Sequence, residues 1–201
     1  MLKISPLIIR HRINSVEELS NISPDQGVEI DLRDRGDRLV LAHDPFTDGE
    51  DFTTYLQHFR HNFLVLNIKS ERIEHRVIQA MREVGTVTRY FFLDSSFPMI
   101  YSLINLGERN IALRFSEFES LESLLLLAGK VEWIWMDCFT KMPLTPAIYS
   151  AIKEAGFKIC AVSPELQGHG LDFIVEYISG INFYSIDAIC TKYPCGWENT
   201  L

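Results

Sequence analysis

Phe63-Leu64-Val65-Leu66-Asn67-Ile68-Lys69 is a short apolar run that turns polar only at its end. A helical pattern from Ser70 to Gly85 follows it, and Tyr90–Leu93 returns to an apolar, strand-like run. Strand, helix and strand in that order form a βαβ unit, whose two strands pair in parallel. Runs of the same kind recur outward along the chain, at Leu7–Arg10, Gly27–Leu32, Leu39–Ala42, Asn110–Phe115, Glu132–Met136, Lys158–Val162 and Ile186–Thr191. Asp34-Arg35-Gly36-Asp37 is a turn signal, so Gly27–Leu32 and Leu39–Ala42 read as a strand with a hairpin-like return. Counting that pair once leaves eight strand units.

Helical patterns separate the later strands at Ser96 to Gly107, Ser116 to Gly129 and Thr145-Pro146 to Gly156, each closing on glycine. Ser116 and Glu119 have capping-box spacing, and Thr145 before Pro146 sets an N-cap beside a first-turn proline. Short helices are expected near Ser15–Asn21 and Phe52–Phe59, and no closing helix after Ile189. Eight alternating units predict an α/β fold, a (β/α)8 TIM barrel, over a single domain spanning 1–201. At 201 residues it is a small, trimmed one, since the usual barrel has about 250.

Forty-seven per cent hydrophobic residues, thirteen Phe and a mean hydropathy of +0.04 supply a globular core. The net charge of −8 carries no basic footprint, which argues against nucleic acid as a partner. In Met1 to Arg12 only Pro6–Ile9 is apolar, too short for a signal-peptide core or a membrane span, so a cytoplasmic protein is expected. Cys138, Cys160, Cys190 and Cys195 lack metal-knuckle spacing, and three of them lie in apolar runs as reduced core residues.

Polar groups gather at the C-terminal ends of the first strands: His11-Arg12, Glu29-Ile30-Asp31, His43-Asp44 and Asn67-Ile68-Lys69. Barrel enzymes place their sites at such ends. Glu29 and Asp31 are two apart and share one side of their strand, as do Asn67 and Lys69. An ion pair of Glu29 or Asp31 with Arg12 or Arg33 accounts for the same carboxylates without a site. His43-Asp44-Pro45 alone also reads as an Asx-type turn. Arg114 and Asp137 end later strands and are expected to line the pocket, with Glu165 a weaker candidate. His58, His61, His75 and His169 are assigned to the surface, and Trp133 and Trp135 to packing.

The order His-Arg, Glu-x-Asp, hairpin, His-Asp and x-x-Lys resembles the glycerophosphodiester phosphodiesterase-like family, of the PLC-like phosphodiesterase type. The sphingomyelinase D toxins are similar, and Ile186 to Pro194 resembles the family's last strand and turn. The resemblance implies a phosphodiesterase acting on a small-molecule or lipid-derived phosphodiester. Glu29, Asp31 and Asn67 would hold one divalent cation, Mg²⁺ or Ca²⁺, as a Lewis acid. His11 and His43 would serve as general base and acid, with Arg12 and Lys69 on the phosphate oxygens. Hydrolysis and cyclic-phosphate formation both stay open.

Departures from the family are Asn67 in place of an acidic ligand, Ile13 in place of glycine and Lys192 in place of Asp. They motivate an alternative, an inactive barrel binding a phosphorylated sugar or lipid head group. A barrel lyase or isomerase unrelated to phosphodiesters is the third reading. Oligomeric state is open.

Overall fold

The computed structural model describes residues 5–198. Strand β1 is Leu7–Arg10. The chain divides into two compact units, Arg10–Gly107 and Met1–Ile9 with Glu108–Leu201.

In the first unit, α1 (Val16–Ser20) precedes the hairpin of β2 (Gly27–Arg35) and β3 (Arg38–Leu41), paired antiparallel with Arg35 opposite Arg38. Gly36 makes that turn at φ 60, a left-handed conformation open to glycine at no steric cost. A further short strand, β4 (Glu50–Asp51), pairs antiparallel with β3 and was not legible as a run. Gly49 is obligatory before it, because a Cβ there would lie 2.0 Å from Leu41 O.

Next come α2 (Phe52–His58), β5 (Phe63–Ile68), α3 (Glu74–Val84), β6 (Tyr90–Leu93) and α4 (Phe97–Asn105). The pairs β2 with β5 and β5 with β6 are parallel, as the βαβ reading requires. Every residue of β5 is buried, which is why that strand reads as a continuous apolar run. Helix α3 begins at Glu74 rather than Ser70 because Arg72 has φ 67, which no α-helix accommodates. It then buries Glu74, Val77 and Met81 at helical spacing, and Gly85 closes it with its N–H on Met81 O at 2.8 Å.

In the second unit, β7 (Ala112–Phe115), α5 (Leu121–Leu125), β8 (Trp133–Met136), α6 (Pro146–Glu154) and β9 (Lys158–Val162) repeat the alternation. After a 3₁₀ turn at Pro164–Gln167 come α7 (Leu171–Ile181), β10 (Ala188–Thr191) and α8 (Pro194–Glu198). Strands β7 to β10 pair in parallel in sequence order.

Helix α5 is shorter than the Ser116–Gly129 pattern. Ser120 is its N-cap, accepting from Ser123 N–H, whereas Ser116 hydrogen-bonds Glu119 and Phe118 N–H in a separate turn. Helix α6 starts as read, with Thr145 accepting from Ile148 N–H. Helix α8 corrects the expected absence of a closing helix: its Trp197 is buried and donates to Ser163 Oγ at 2.9 Å. Trp133 and Trp135 are packed inside, and Cys138, Cys160 and Cys190 are buried free thiols while Cys195 is exposed.

Among the described residues no helix is long and apolar enough to cross a membrane. Residues 1–4 of the N-terminal stretch lie outside the described residues.

Candidate functional site

In the Arg10–Gly107 unit the pairing of β2 with β5 sets Asp31 opposite Asn67 and Glu29 opposite Val65. Glu29, Asp31 and Asn67 are all buried, at 0%, 1% and 6% exposure. Buried carboxylates must find donors, and these do. Glu29 Oε1 accepts from Asn67 Nδ2 at 2.8 Å, and Oε2 accepts from the Arg12 backbone N–H at 2.7 Å. His11 Nε2 lies 3.9 Å from the same Oε2.

Asp31 is gripped from three sides. Its Oδ2 accepts from Asn14 Nδ2 at 3.0 Å and lies 3.3 Å from Arg12 Nε, while Oδ1 lies 3.6 Å from Lys69 Nζ. Asn14 also takes the Asp31 backbone N–H on its Oδ1 at 2.8 Å, so one side chain fixes both ends of the residue. Lys69 is shared with Asp94, whose Oδ2 is 3.5 Å away.

Arg12 and Asp94 follow the ends of β1 and β6 at positive φ, 55 and 62. That conformation costs a residue with a Cβ of order 1 kcal/mol or more, and such strain gathers where side chains are aimed for a purpose. Arg33 braces the neighbouring strand ends, donating to Lys69 O at 2.7 Å and to His43 O at 2.8 and 3.1 Å. Tyr55 O–H holds Ile13 O at 3.0 Å, pinning the segment that carries His11 and Arg12.

Burial pushes the Glu29 carboxyl up, and the Asp31 charge pushes it further, to about 7. The hydrogen bonds from Asn67 and Arg12 and the Lys69 charge only partly oppose this. Glu29 therefore holds and releases a proton near neutral pH, the property a general acid–base group needs. Burial, followed by the charges of Glu18, Glu50 and Glu29, keeps the Tyr55 phenol well above its usual range.

Of the sequence-derived candidates, His11, Arg12, Glu29, Asp31, Asn67 and Lys69 converge on this cluster. His43 is on the exposed loop after β3, with Nδ1 2.8 Å from Asp44 Oδ1. Its hydrogen bond and charge lower the Asp44 carboxyl. Arg114 and Asp137 pair with each other in the second unit at 2.5 Å, and Gln167 Nε2 donates to Asp137 at 2.6 Å. Glu165 joins the ends of β9 and β10, accepting from Thr191 Oγ1 at 2.6 Å and from Lys192 N–H at 3.1 Å. His61 and His169 are half-buried rather than on the surface, on Ile22 O and Phe139 O.

Sequence reading missed Asn14, Asp94 and Tyr55. Asn14 and Asp94 sit in loop-like positions and join the site only through the strand register. Of the alternatives considered for the carboxylates, the Arg12 ion pair is present, whereas Arg33 is used on carbonyls.

The donor set gives a mixed answer on a divalent cation. Asp31 Oδ1 and Asn67 Oδ1 are buried without a hydrogen-bond partner, which suits a cation. Against this, Lys69 already lies beside Asp31 Oδ1, and Asn67 presents its amide N–H to Glu29. Among the described residues no group of three His, Cys, Asp or Glu is arranged to hold a metal ion.

The fold is that of the (β/α)8 TIM barrels, an α/β class with a mostly parallel sheet. Solved structures similar to this chain are mutants of the tryptophan synthase alpha-subunit from the hyperthermophile Pyrococcus furiosus. Three of them are 12%, 11% and 13% identical to it, with TM-scores of 0.53, 0.54 and 0.52, over 95% of this chain and 88% of theirs. No family model matches the sequence, and no curated protein matches it either.

These findings correct the resemblance to the glycerophosphodiester phosphodiesterase-like family: the neighbours belong to a different barrel family, and no phosphodiesterase model matches. With it fall the PLC-like phosphodiesterase type and the reading as a phosphodiester hydrolase. The inactive phosphate-binding barrel fits no better, since it rested on the same resemblance. The physical reason is that polar residues at strand ends are common to barrel mouths of many chemistries, so their order along the chain carries little family information.

Proposed function

We propose that this chain is an acid–base enzyme of the lyase or isomerase type, in which Glu29 transfers a proton to or from a small substrate while Lys69 and Arg12 stabilise the developing negative charge. One observation carries the reading: two buried carboxylates stand among an ammonium, a guanidinium and an imidazole at adjoining strand ends. Fixed charges in a site of low dielectric act more strongly than in water and need no reorganisation during the reaction. Asp31, held by Asn14, Arg12 and Lys69, stays in place as the fixed anion that keeps Glu29 basic.

His11, 3.9 Å from Glu29, is the group through which the proton exchanges with solvent. His43, on its exposed loop beside Asp44, contributes a substrate contact. The neighbours are named as subunits of a synthase, which supports an enzymatic role on this fold without fixing the reaction. One barrel domain over 1–201, a cytoplasmic location and a small-molecule substrate belong to the same proposal.

The test is proton exchange. A panel of small aldehydes, ketones and hydroxy acids is incubated with the protein in D₂O at pH 7, and deuterium incorporation is read by NMR. Incorporation that Glu29→Gln reduces by about 10²–10⁴-fold supports the reading. Incorporation equal in both proteins, or none across the panel, removes it.

A divalent cation takes no part in these steps and is a separate proposal, carried by the buried oxygens of Asp31 and Asn67 that accept no hydrogen bond, one of which has Lys69 beside it. Calorimetric titration with Mg²⁺ and with Ca²⁺ decides it. Saturable heat that disappears in Asp31→Asn is the expected sign of a cation, and wild-type protein that gives no heat rules one out.

A further inference from the structure

After β3 the chain from Ala42 to Gly49 forms a loop that is closed by the pairing of Leu41 with Glu50. Both ends of this loop are tied to the carboxylate cluster. Ala42 N–H donates to Asp31 O at 3.0 Å, and the Arg33 guanidinium holds His43 O and Lys69 O together. At the other end Glu50 accepts from Val16 N–H at 2.7 Å, close along the chain to the Asn14 that grips Asp31.

The polar side chains of the loop are used within it or on the β2–β3 hairpin. His43 Nδ1 meets Asp44 Oδ1 at 2.8 Å, and Thr47 Oγ1 donates to Asp44 O at 2.7 Å. Asp48 lies 3.1 Å from Arg35 Nη1 and 3.2 Å from Arg38 Nη2, and accepts from Gly49 N–H at 3.0 Å. Pro45 and Phe46 are left as an apolar tip.

Phe46 is unusual in two ways: it is 99% exposed, and its φ is 65. A single exposed apolar side chain is ordinary. A bulky residue in the left-handed region is not, and such strain persists only where the surrounding structure enforces it. The links at Ala42, His43, Thr47 and Asp48 enforce it here. Phe46 follows His43 by three positions, a length of chain that spans at most about 11 Å, so its ring is within reach of a molecule held at the cluster.

We propose that Phe46 is a specificity-determining residue, packing on an apolar alkyl or aryl group of a substrate whose reacting end lies among Glu29, Arg12 and Lys69. The inference rests on the acid–base reading and adds a substrate class to it: a small carbonyl or hydroxy compound with an apolar tail. The charged groups hold the polar end. The ring offers only dispersion contacts and its π face, so an apolar tail is what it recognises. A loop fixed before binding also spares the ordering cost that a mobile one would incur.

The test titrates the whole protein with 4-phenylbutan-2-one and with butan-2-one, following the amide resonances of residues 43–48 by NMR. The aryl ketone is expected to bind saturably there, and butan-2-one about tenfold more weakly or worse. Phe46→Asn keeps a residue that tolerates the left-handed backbone, so its melting temperature is expected to stay within a few degrees of wild type. It is expected to weaken the aryl ketone about tenfold and leave butan-2-one unchanged, while Phe46→Tyr, which keeps the ring, restores binding. Binding is read without turnover, so an aryl ketone that binds but exchanges no deuterium removes the acid–base reading and not the contact. The proposal is overturned if wild-type protein shows no saturable shifts at residues 43–48, or if Phe46→Asn binds the aryl ketone as tightly as wild type.

Discussion

Glu29→Gln is expected to remove most of the dependence of stability on pH between about 5 and 8. The folded carboxyl sits at about 7 against an ordinary 4.5, so the native state binds more protons than the unfolded state in that window. Stability from this group is therefore fully present below 4.5 and falls as pH rises through 7. The drop is of order 3 kcal/mol, because each tenfold difference in proton affinity between the two states is worth ~1.4 kcal/mol. Gln has one carbonyl acceptor where Glu29 now serves both Asn67 and Arg12, so the variant loses roughly 1 kcal/mol at pH 5. At pH 8 it is the more stable protein. Urea denaturation of both proteins from pH 5 to 8 checks this, and parallel profiles would show that Glu29 does not titrate there.

The second large effect concerns Lys69→Met. Lys69 lies 3.6 Å from Asp31 Oδ1 and 3.5 Å from Asp94 Oδ2, and Asp31 is only 1% exposed. Removing the ammonium leaves a buried carboxylate supported by Arg12 and Asn14 alone. Taking one partner from a buried pair costs several kcal/mol, and the remaining donors bring the expected loss to roughly 2–4 kcal/mol. It also removes a charge that now holds Glu29 down, so the Glu29 carboxyl rises further. Adding Asp31→Asn should restore part of the stability, because the uncompensated charge goes with it. A loss no larger than that of a surface ion pair, under about 0.5 kcal/mol, would mean that water or Arg12 compensates Asp31 fully.

What the sequence discloses here follows from which physical signals are local. Strands β5, β6 and β9 are legible because most of their residues are apolar and buried on both faces, and α6 announces itself through Thr145 and Pro146. Helix α7 offers no such start: Gly170 precedes it without a side-chain cap, and its buried Ile174, Tyr177, Ile178 and Ile181 mark only a face. Helix α5 misleads because the Ser116–Glu119 spacing closes a turn and not a helix.

At the site, residues within one strand were legible from the two-residue alternation that puts Glu29 with Asp31 and Asn67 with Lys69. Asn14 and Asp94 were not, since they arrive through loops whose path depends on positive φ at Arg12 and Asp94. The role of Asn67 was hidden for another reason. Whether an amide serves as ligand or donor depends on the neighbour it faces, and that neighbour, Glu29, is thirty-eight residues away in sequence. The family resemblance failed at the same point, as residue order along the chain does not record what each group is bonded to.

The central claim is that Glu29 exchanges a proton at neutral pH within the carboxylate cluster. Its most direct test is an NMR titration of the Glu29 side-chain carboxyl in ¹³C-labelled protein, assigned by comparison with Glu29→Gln. A midpoint near 7 that moves downward in Asp31→Asn is the predicted result. A midpoint at the ordinary value of 4.5, unmoved by that substitution, would contradict the account.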